Sequence, residues 1–414
     1  MALISQRNGK VFARLGGVGA GGTGQTAGVS PDQATWEIPV LAGYSFSQTT
    51  NSTEVTVNEA GFTSRRARVM FNDSLAPVEF SFSTYIRPTT GTIGVTTAVA
   101  AEQVLWAMLM GADSFSDGDG LFYSSTMATS GTSTQAVSPD TSPVPLNAVN
   151  TITSSTVNTF DFSASNVSYF PSGNSIIFQV QDGSTYEIFT IANAQISSVT
   201  IDFDIEGLCT AQWSGMGTSI TRTNTGTATT PAFNTATGVT SSTNFIRNKL
   251  STMTLASYND PGSPTGASDT YSIVLTGGSF TIENNLTFLM PEELGKVNQT
   301  IGNITGSRSI SGTLTCYYDT ALGSDKSSEL WSDLITGSSG GLTGTIPTIR
   351  NAHNMTISIG GSTGNRLLLA MPTAHLEIPT INPDELFTLE ANFHAVPSQG
   401  NFDNTNEATI AYGV

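Results

Sequence analysis

The chain has 414 residues, more than one ordinary domain needs and a comfortable length for two. Only 11% of the residues are charged, against roughly 25% in typical soluble domains, and 38% are hydrophobic, which is enough for buried cores. The net charge of −17 excludes a chain whose surface as a whole binds nucleic acid, because such a surface must neutralise phosphates with basic residues.

Signals for secretion, membrane insertion and disulfide bonding are missing from the sequence. The start of the chain lacks the apolar segment of a signal peptide. No apolar run reaches the length of about 18 residues that spans a bilayer. Cys209 and Cys316 are too few for a disulfide framework. These features predict a protein that is made and folded in the cytoplasm.

A glycine-rich stretch at residues 17–22 follows a strand-like segment, residues 10–14. The stretch matches the G-x-G-x-x-G pattern, but a dinucleotide site also needs a helix that begins there and faces the pyrophosphate. Residues 23–28 are Gly, Thr, Gln and Ala in an order that does not favour a helix. We therefore predict a loop at this position.

Two strands and a helix are predicted next. Residues 55–58 and 78–85 alternate apolar and polar side chains, which indicates half-buried strands. A long loop, residues 61–77, separates them. Residues 101–109 carry apolar side chains at i, i+3 and i+4 and predict an amphipathic helix. The Ser- and Thr-rich residues 112–165 predict an exposed, loosely ordered insertion.

The same order of elements recurs in the second half. The helix residues Leu105, Trp106 and Leu109 match Leu330, Trp331 and Leu334, each 225 positions later. Further strands of the first half are predicted at residues 176–180, 198–202 and 209–213. Their counterparts and those of the earlier strands lie at residues 280–283, 310–317, 355–359, 375–379 and 389–393. A repeat this long indicates a duplicated domain, because solenoid periods run only to roughly 50 residues.

The repeat divides the chain into two predicted domains of a mainly β fold. The first covers residues 1–222, with the insertion near 112–165, and the second covers residues 243–398. The linker between them, residues 223–242, consists mostly of Thr, Ser, Gly, Asn and Ala. Residues 399–414 form a short C-terminal tail.

In four strands of each unit, one face is apolar and the other polar. The polar faces carry carboxylates, hydroxyls and amides, and no Lys or Arg. Their residues include Glu54, Thr56, Asn58, Glu79, Ser81, Ser83, Thr200, Asp202, Asp204, Gln212, Thr281, Glu283, Thr313, Thr315, Glu377, Thr388, Glu390 and Asn392. A solvated sheet face is one interpretation. Solvated faces usually mix both signs of charge, so the lining of an acidic conduit is the other.

The two long loops differ in charge. The first holds a basic cluster followed by two polar residues, namely Arg65, Arg66, Arg68, Asn72 and Asp73. The corresponding loop of the second unit, residues 289–307, holds Glu292, Glu293 and Lys296. These loops are either solvated or serve as docking arms that prefer different partner surfaces.

No motif indicates catalysis or metal binding. Asp113, Asp117 and Asp119 have the wrong spacing for a calcium loop and lack a closing Glu. A nucleophile elbow, a P-loop and a distinctive carboxylate pair are also missing, so no cofactor is expected. Three histidines form no compact metal motif and are predicted to have surface or packing roles; they are His353, His375 and His394.

Short blocks with a recognisable pattern lie in order along the chain, at residues 51–61, 71–75, 80–86, 204–207, 213–215 and 278–285. These blocks resemble the major tail tube proteins of long-tailed phages, in particular the branch with a duplicated tube domain. The resemblance covers roughly residues 3–398.

The resemblance implies two tandem β-sandwich or barrel domains, each with one flanking helix. It implies that three chains form a pseudo-hexameric ring with one continuous inner barrel, and that rings stack through the long loops and the terminal arms into the tube of a virion tail. DNA would pass through the acidic lumen without specific binding. The implied partners are further copies of the chain, a tape-measure protein, a tail terminator and baseplate or tip proteins, with no membrane.

Two other protein classes share part of this pattern. A secreted surface-layer or adhesin-type protein has a similar Thr-, Ser- and Gly-rich β composition, but the missing signal peptide argues against it. A glycan-processing enzyme needs a pair of carboxylates in a cleft, and none stands out. The sequence therefore predicts a structural subunit and not an enzyme.

Overall fold

The computed structural model describes most of the two predicted units. The described residues are 8–14, 35–56, 68–93, 95–99, 102–109, 173–229, 244–258, 267–271, 273–290, 292, 294, 297–300, 302–320, 326–336, 353–361, 365–383, 385–396 and 407–413. The predicted insertion at 112–165 and the glycine-rich stretch at 17–22 lie outside them, as do residues 230–243 of the linker region.

The first half contains thirteen strands and one helix among its described residues. The elements are β1 (Gly9–Arg14), β2 (Thr35–Ile38), β3 (Ser45–Ser47), β4 (Thr50–Val55), β5 (Val69–Leu75), β6 (Val78–Tyr85), β7 (Thr89–Ile93), β8 (Val95–Val99), α1 (Gln103–Leu109), β9 (Ser175–Asp182), β10 (Thr185–Ala192), β11 (Gln195–Asp202), β12 (Thr210–Gly217) and β13 (Ser219–Thr225).

The second half adds a short 3₁₀ turn, eleven strands and one helix in its described part. The elements are the turn Asn248–Leu250, β14 (Thr252–Tyr258), β15 (Ala267–Tyr271), β16 (Leu275–Glu283), β17 (Leu286–Leu289), β18 (Gly302–Thr305), β19 (Ser309–Tyr317), α2 (Ser327–Thr336), β20 (His353–Ile359), β21 (Arg366–Leu376), β22 (Thr380–Pro383), β23 (Phe387–Ala395) and β24 (Thr409–Gly413). The prediction of a mainly β chain with one helix in each half is confirmed.

One long sheet contains strands from both halves. Its strands pair in the order β3-β6-β12-β11-β16-β19-β23, and β22 pairs with the far side of β23. The two halves meet where β11 pairs antiparallel with β16, with Thr200 opposite Thr281 and Ile201 opposite Phe280. We call this pairing the internal joint. Because of it, the polar faces of both halves belong to one surface.

Outer strands cover the apolar face of the long sheet. In the first half a five-stranded sheet, β13-β10-β9-β1-β2, packs over β3, where the Phe46 ring lies 4.7 Å from that of Phe178. In the second half β21 belongs to both layers, because its first residues pair with β20 and β24 and its last three with β23. The core between the layers includes the fully buried Trp213 and Phe280.

The order of strand pairing is the same on the two sides of the internal joint. Strands β3, β6 and β12 pair consecutively, and so do β16, β19 and β23. The Ile86 amide donates to the Cys209 carbonyl over 3.1 Å, and the Tyr318 amide donates to the Phe387 carbonyl over 2.9 Å. Tyr85 lies opposite Thr210, as Tyr317 lies opposite Thr388. These pairs define which residues of the two halves are counterparts.

Residues 55–58 were predicted to be the counterpart of residues 280–283, and this prediction was wrong. Residues 50–55 form β4, which pairs only with β5 in an exposed two-stranded hairpin outside the long sheet. The strand that holds the position of β16 is β3, since Phe46 lies opposite Phe80 as Phe280 lies opposite Gly312. A period of two is found both in solvated hairpins and in half-buried strands, so the local pattern could not separate them.

The predicted match of residues 209–213 with 389–393 differs by two residues from the observed pairing. Thr210 corresponds to Thr388, because each lies opposite the last tyrosine of its neighbouring strand. A shift of two residues leaves every side chain on the same face of the sheet. The polar and apolar faces were therefore assigned correctly in these two strands, although the register was not.

Strands also occur at the predicted boundaries of the units. β13 runs to Thr225, three residues into the predicted linker, and pairs with β10. β24 lies in the predicted tail and pairs with β21, as β13 pairs with β10 in the first half. The buried guanidinium of Arg308, at the base of the second hairpin, forms an ion pair with Glu407 just before β24. These contacts hold the end of the second unit against its sheet.

Both predicted helices are confirmed. Leu105 and Leu109 of α1 are fully buried. Their counterparts in α2, Leu330 and Leu334, are at most 3% exposed. The Trp106 ring meets the edge of the Trp213 ring at 4.8 Å. α1 thus covers the apolar face of the long sheet at β11 and β12.

Glycine and phenylalanine exchange places between the two halves. In the first half Phe80 lies opposite Gly215, and in the second half Gly312 lies opposite Phe393. In both pairs the glycine leaves room for the ring, because a Cβ on either glycine would collide with it. The same volume is filled from opposite strands.

Replacement of Gly312 with alanine should destabilise the protein. The new Cβ would collide with the carbonyl oxygen of Ser279 and with the Phe393 ring, and overpacking of this kind costs about 1–3 kcal/mol. Gly302→Ala is the matched control, because no atom lies within 4 Å of its Cβ position. Denaturant unfolding of both variants measures the difference. Equal stability of the two would contradict this account of the packing.

His353 should make the protein sensitive to mild acid. Its side chain is buried, neither ring nitrogen has a hydrogen-bond partner in the described part of the chain, and burial, with His375 nearby, lowers its pKa to about 4. Between pH 6.5 and 4 the unfolded chain binds a proton that the folded chain does not, so the free energy of unfolding falls with falling pH. The loss approaches about 3 kcal/mol.

His353→Leu should flatten the pH dependence of thermal unfolding between pH 6.5 and 4. Gln181→Leu, at an exposed and non-titrating position of β9, serves as the control and should leave that slope unchanged. A slope that is the same in wild type and His353→Leu would show that His353 does not contribute to acid sensitivity.

Candidate functional site

The polar face of the long sheet is the largest surface that the two halves build together. Along each strand, buried apolar residues alternate with exposed or half-buried polar ones, as in the burial of β23 from Leu389 to Phe393. Hydrophobic residues point to the core because the outer layer covers only that side. We call the opposite side the polar face.

Hydroxyl and amide groups form rows across the polar face. One row runs from Ser83 through Gln212, Thr200 and Thr281 to Ser311, since each residue lies opposite the next. Across the internal joint the hydroxyls of Thr200 and Thr281 are 3.1 Å apart. Pairs of Ser and Thr on adjacent strands stabilise a sheet modestly and satisfy each other's hydrogen-bonding groups.

Every formal charge on the strands of the polar face is negative. No Lys or Arg occurs in the eight strands that form this face, which are β3, β6, β12, β11, β16, β19, β23 and β22. The exposed carboxylates on this face are those of Glu79, Asp202, Glu283, Glu377 and Glu390. A surface with this composition repels a polyanion and offers no cation for a phosphate.

The environment of Asp202 shows that its carboxylate does not stand alone. Partial burial, and then the charge of Asp204, raise the pKa of Asp202 above its usual value. Asp204 follows the end of β11, and its side chain lies beside Gly277, where a Cβ would meet it. The two carboxylates form a small acidic group at the end of the internal joint.

Glu377 has a different set of neighbours. Asn392 donates a hydrogen bond to it over 2.7 Å and lowers its pKa, and His394 lies 3.6 Å away. His375 lies directly opposite His394 on the adjacent strand. Both histidines therefore belong to the polar face, a role that the sequence indicated only through their place in the alternation.

Most of the predicted face residues lie together on this surface. They are Glu79, Ser81, Ser83, Thr200, Asp202, Gln212, Thr281, Glu283, Thr313, Thr315, Glu377, Thr388, Glu390 and Asn392. Glu54 and Thr56 lie instead on the β4–β5 hairpin, and Asn58 is outside the described residues. Residues that the sequence did not single out, on β3, β16 and β22, are Ser45, Ser47, Ser279, Thr380 and Asn382. β3 and β22 are short and were not predicted, and Ser279 lies just before the predicted part of β16, residues 280–283.

The two long loops are hairpins that project from the sheet. In the first, β4–β5, Arg68 pairs with Glu54 at 3.2 Å, and Asn72 and Asp73 lie on the second strand. Large apolar side chains are exposed here, including Met70 at 64% and Phe71 at 57%. Arg65 and Arg66 lie outside the described residues.

The second hairpin, β17–β18, also exposes apolar residues, with Leu294 fully exposed and Ile304 at 42%. Glu292 is exposed, whereas Glu293 and Lys296 lie outside the described residues. The hairpins touch each other, because the Leu75 amide donates to the Asn298 carbonyl over 2.9 Å. They therefore form one projecting edge that is both apolar and charged.

Within the described residues, no group of three or more His, Cys, Asp or Glu side chains lies close enough to hold a metal ion. The two helices of the described chain have seven and ten residues, too short to span a bilayer. The polar face and the hairpins are thus the features on which a function can be built.

Comparison with known proteins identifies the family of this chain. A family model described as "Phage tail tube protein" matches residues 72–395, a span that begins in the first hairpin and ends with β23. The chain belongs to the phage tail tube protein family. It is also 30% identical over 370 residues to the tail tube protein pb6 of Escherichia phage T5, an alignment that covers 88% of this chain and 68% of that protein. This tail tube protein is therefore a structural component of a virion tail.

Proposed function

We propose that three copies of this tail tube protein, each a duplicated tube domain, close into a pseudo-hexameric ring whose inner wall is the polar face. The observation that carries the proposal is a correspondence between strands. The two open edges of the long sheet, β3 and β22, correspond to the two strands that pair at the internal joint. β3 is the counterpart of β16, and the end of β21 with β22 is the counterpart of β11.

The register of the counterparts follows from their neighbours. Ser45 lies opposite Ser81, as Ser279 lies opposite Thr313. Asn382 lies opposite Thr388, as Asp202 lies opposite Thr210. Since Asp202 and Ser279 are themselves opposite at the internal joint, the same pairing between two copies places Asn382 opposite Ser45.

Burial differs between the internal joint and the open edges in the way that this pairing requires. Ile201 and Phe280 are fully buried at the internal joint. Their counterparts Ile381 and Phe46, at the open edges, are only half-buried. Apolar side chains on the core side of both edges are the expected result when a strand of another copy completes the sheet.

Closure of the sheet solves a physical problem. An open edge strand exposes unpaired amide and carbonyl groups that can pair with any other edge, and closure into a barrel removes the edges. Each copy contributes eight strands to the inner wall, from β3 to β22. Three copies supply the six sheet units that the family resemblance implies.

The acidic polar face would line the lumen of such a ring. Carboxylates and mutually bonded hydroxyls offer no attachment point to DNA phosphates, so DNA can slide through from the capsid to the host. The exposed apolar residues of the two hairpins suit contacts between stacked rings. The proposed partners are other copies of the chain, a tape-measure protein, a tail terminator and baseplate or tip proteins.

A pair of cysteines should trap the joint between copies. Asn382→Cys with Ser45→Cys places the two thiols on opposite residues of an antiparallel pair, about 4.5–5.5 Å apart at Cα, which suits a disulfide. Oxidised tubes of this variant should give covalent dimers and trimers on a non-reducing gel. Asp202→Cys with Ser279→Cys is the matched control, because the equivalent disulfide forms within one chain and leaves a monomer band.

Two results would contradict the proposed joint. The first is formation of the control disulfide without any cross-link between copies. The second is equal cross-linking by Asn382→Cys with Thr49→Cys, a pair out of register. Background from native thiols should be low, because Cys209 and Cys316 are buried and burial raises the pKa of Cys316 to about 11.

Basic residues on the polar face should slow DNA release. Asp202→Lys with Glu390→Lys should still allow assembly, since both positions are exposed, but the new ammonium groups would bind passing phosphates. The rate of triggered DNA release from purified virions should fall, most strongly at low salt, where screening is weakest. Asp182→Lys, at the end of β9 in the five-stranded outer sheet, should release DNA at the wild-type rate. Unchanged release by the double variant at low salt would mean that this face does not line the DNA path.

A further inference from the structure

An apolar patch lies at one end of the long sheet in the second half. Tyr317, Leu386 and Phe387 are large, adjacent through the pairing of β19 with β23, and 40%, 62% and 52% exposed. Asp319 and Glu385 flank them in sequence. Exposed clusters of large apolar residues mark surfaces that are covered in an assembly.

The counterpart of this patch in the first half is covered. Its residues are Tyr85, Leu208 and Cys209, and Cys209 is 1% exposed. The cover is the segment of residues 244–248 that leads into β14. The Phe245 ring meets the Tyr85 ring edge-on at 5.4 Å, and the Cys209 amide donates to the Ile246 carbonyl over 3.0 Å.

Further contacts fix the covering segment in place. Arg247 forms an antiparallel bridge with Leu208, and the Asn248 amide donates to the Gly207 carbonyl over 3.3 Å. Arg87 donates two hydrogen bonds to the Asn244 side chain, at 2.8 and 3.1 Å, and lies over the Phe245 ring. Ile246 is 1% exposed as a result. The segment belongs to the second unit but packs on the first.

The counterpart of residues 244–248 lies at the start of the chain. Val11 of β1 pairs with Phe178, and Met253 of β14 pairs with Ile357 in the equivalent strand, so β1 and β14 are offset by 242 positions. A 3₁₀ turn ends at Leu250 just before β14, and Asn8, 242 positions earlier, has 3₁₀ conformation just before β1. With this offset, Leu3 and Ile4 correspond to Phe245 and Ile246.

We propose that residues 2–6 of one copy cover Tyr317, Leu386 and Phe387 of the neighbouring copy in the ring. This inference rests on the proposed ring, because the joint between copies is what brings the start of β1 beside this patch. The contacts repeat those inside the chain: Leu3 lies against Tyr317, and Ser5 pairs with Leu386. Leu3 and Ile4 supply the apolar side chains that the patch requires.

Charge supports the same occupant. The first ten residues contain Arg7 and Lys10 and no Asp or Glu. The patch is flanked by Asp319 and Glu385, whereas the covered site of the first half has Arg87 in the position of Asp319. A segment with basic and no acidic residues therefore suits the carboxylates beside the patch, one of which, Asp319, also pairs with Lys326 at 3.6 Å.

A disulfide between copies tests the contact. Ser5→Cys with Leu386→Cys should form a disulfide in assembled tubes and convert most of the monomer band into covalent dimers and trimers. Leu208→Cys with Arg247→Cys is the matched control, because these two residues already lie opposite each other in one chain. Opposite residues of an antiparallel pair are close enough at Cα for a disulfide.

The outcomes separate this inference from the ring itself. Cross-linking by the Ser45 and Asn382 cysteine pair, without cross-linking by the Ser5 and Leu386 pair, would overturn the inference and leave the ring intact. Failure of both pairs, with both intrachain controls oxidised, would overturn the ring and with it this inference.

A thiol-labelling experiment identifies the cover independently. In assembled tubes of Leu386→Cys, the new thiol should be protected from a maleimide reagent. Deletion of residues 2–6 from the same variant should restore labelling in the tubes to the level seen in free subunits. Protection that persists after the deletion would show that another surface covers the patch, such as a hairpin of the next ring, and would overturn the assignment.

Discussion

The pairing of β11 with β16 is the interaction on which the rest of the structure depends. It joins strands from the two halves into one sheet, with Thr200 opposite Thr281 on the polar side and Ile201 opposite Phe280 in the core. Without it the two polar faces would be separate surfaces. Because the edges of the combined sheet, β3 and β22, have the same relation to each other as β16 and β11, one contact inside the chain also describes the proposed contact between copies.

The chemistry of the polar face follows from two requirements that a tube wall would impose. Side chains must not bind phosphate, and they must not leave strong hydrogen-bonding groups exposed in large numbers. The strands meet the first requirement by carrying no Lys or Arg. They meet the second by pairing hydroxyls across strands, as in Ser279 with Thr313 at 3.0 Å. Part of the negative charge of the chain thus lies on this face.

The two halves keep one plan of strand pairing and differ where they meet other parts of the molecule. Phe80 and Gly215 exchange places with Gly312 and Phe393, so the core is filled equally from opposite strands. The hairpins differ in charge, and the patch around Phe387 is open where the site around Cys209 is covered. Such differences are expected when each half has a different neighbour along the chain.

The sequence by itself determined the β class, the two helices, and the acidic or polar side of β6, β11, β12, β16, β19 and β23, because alternation and helical periodicity are local patterns that burial enforces. It also indicated the family. It misassigned residues 55–58, since an exposed hairpin alternates as a buried strand does, and it placed β24 in a tail. Only the tertiary structure decided that β3 is the counterpart of β16, that the halves join through β11, and which apolar patch remains open. These features depend on pairing between residues far apart in the chain, and a local sequence pattern does not show which strand it pairs with.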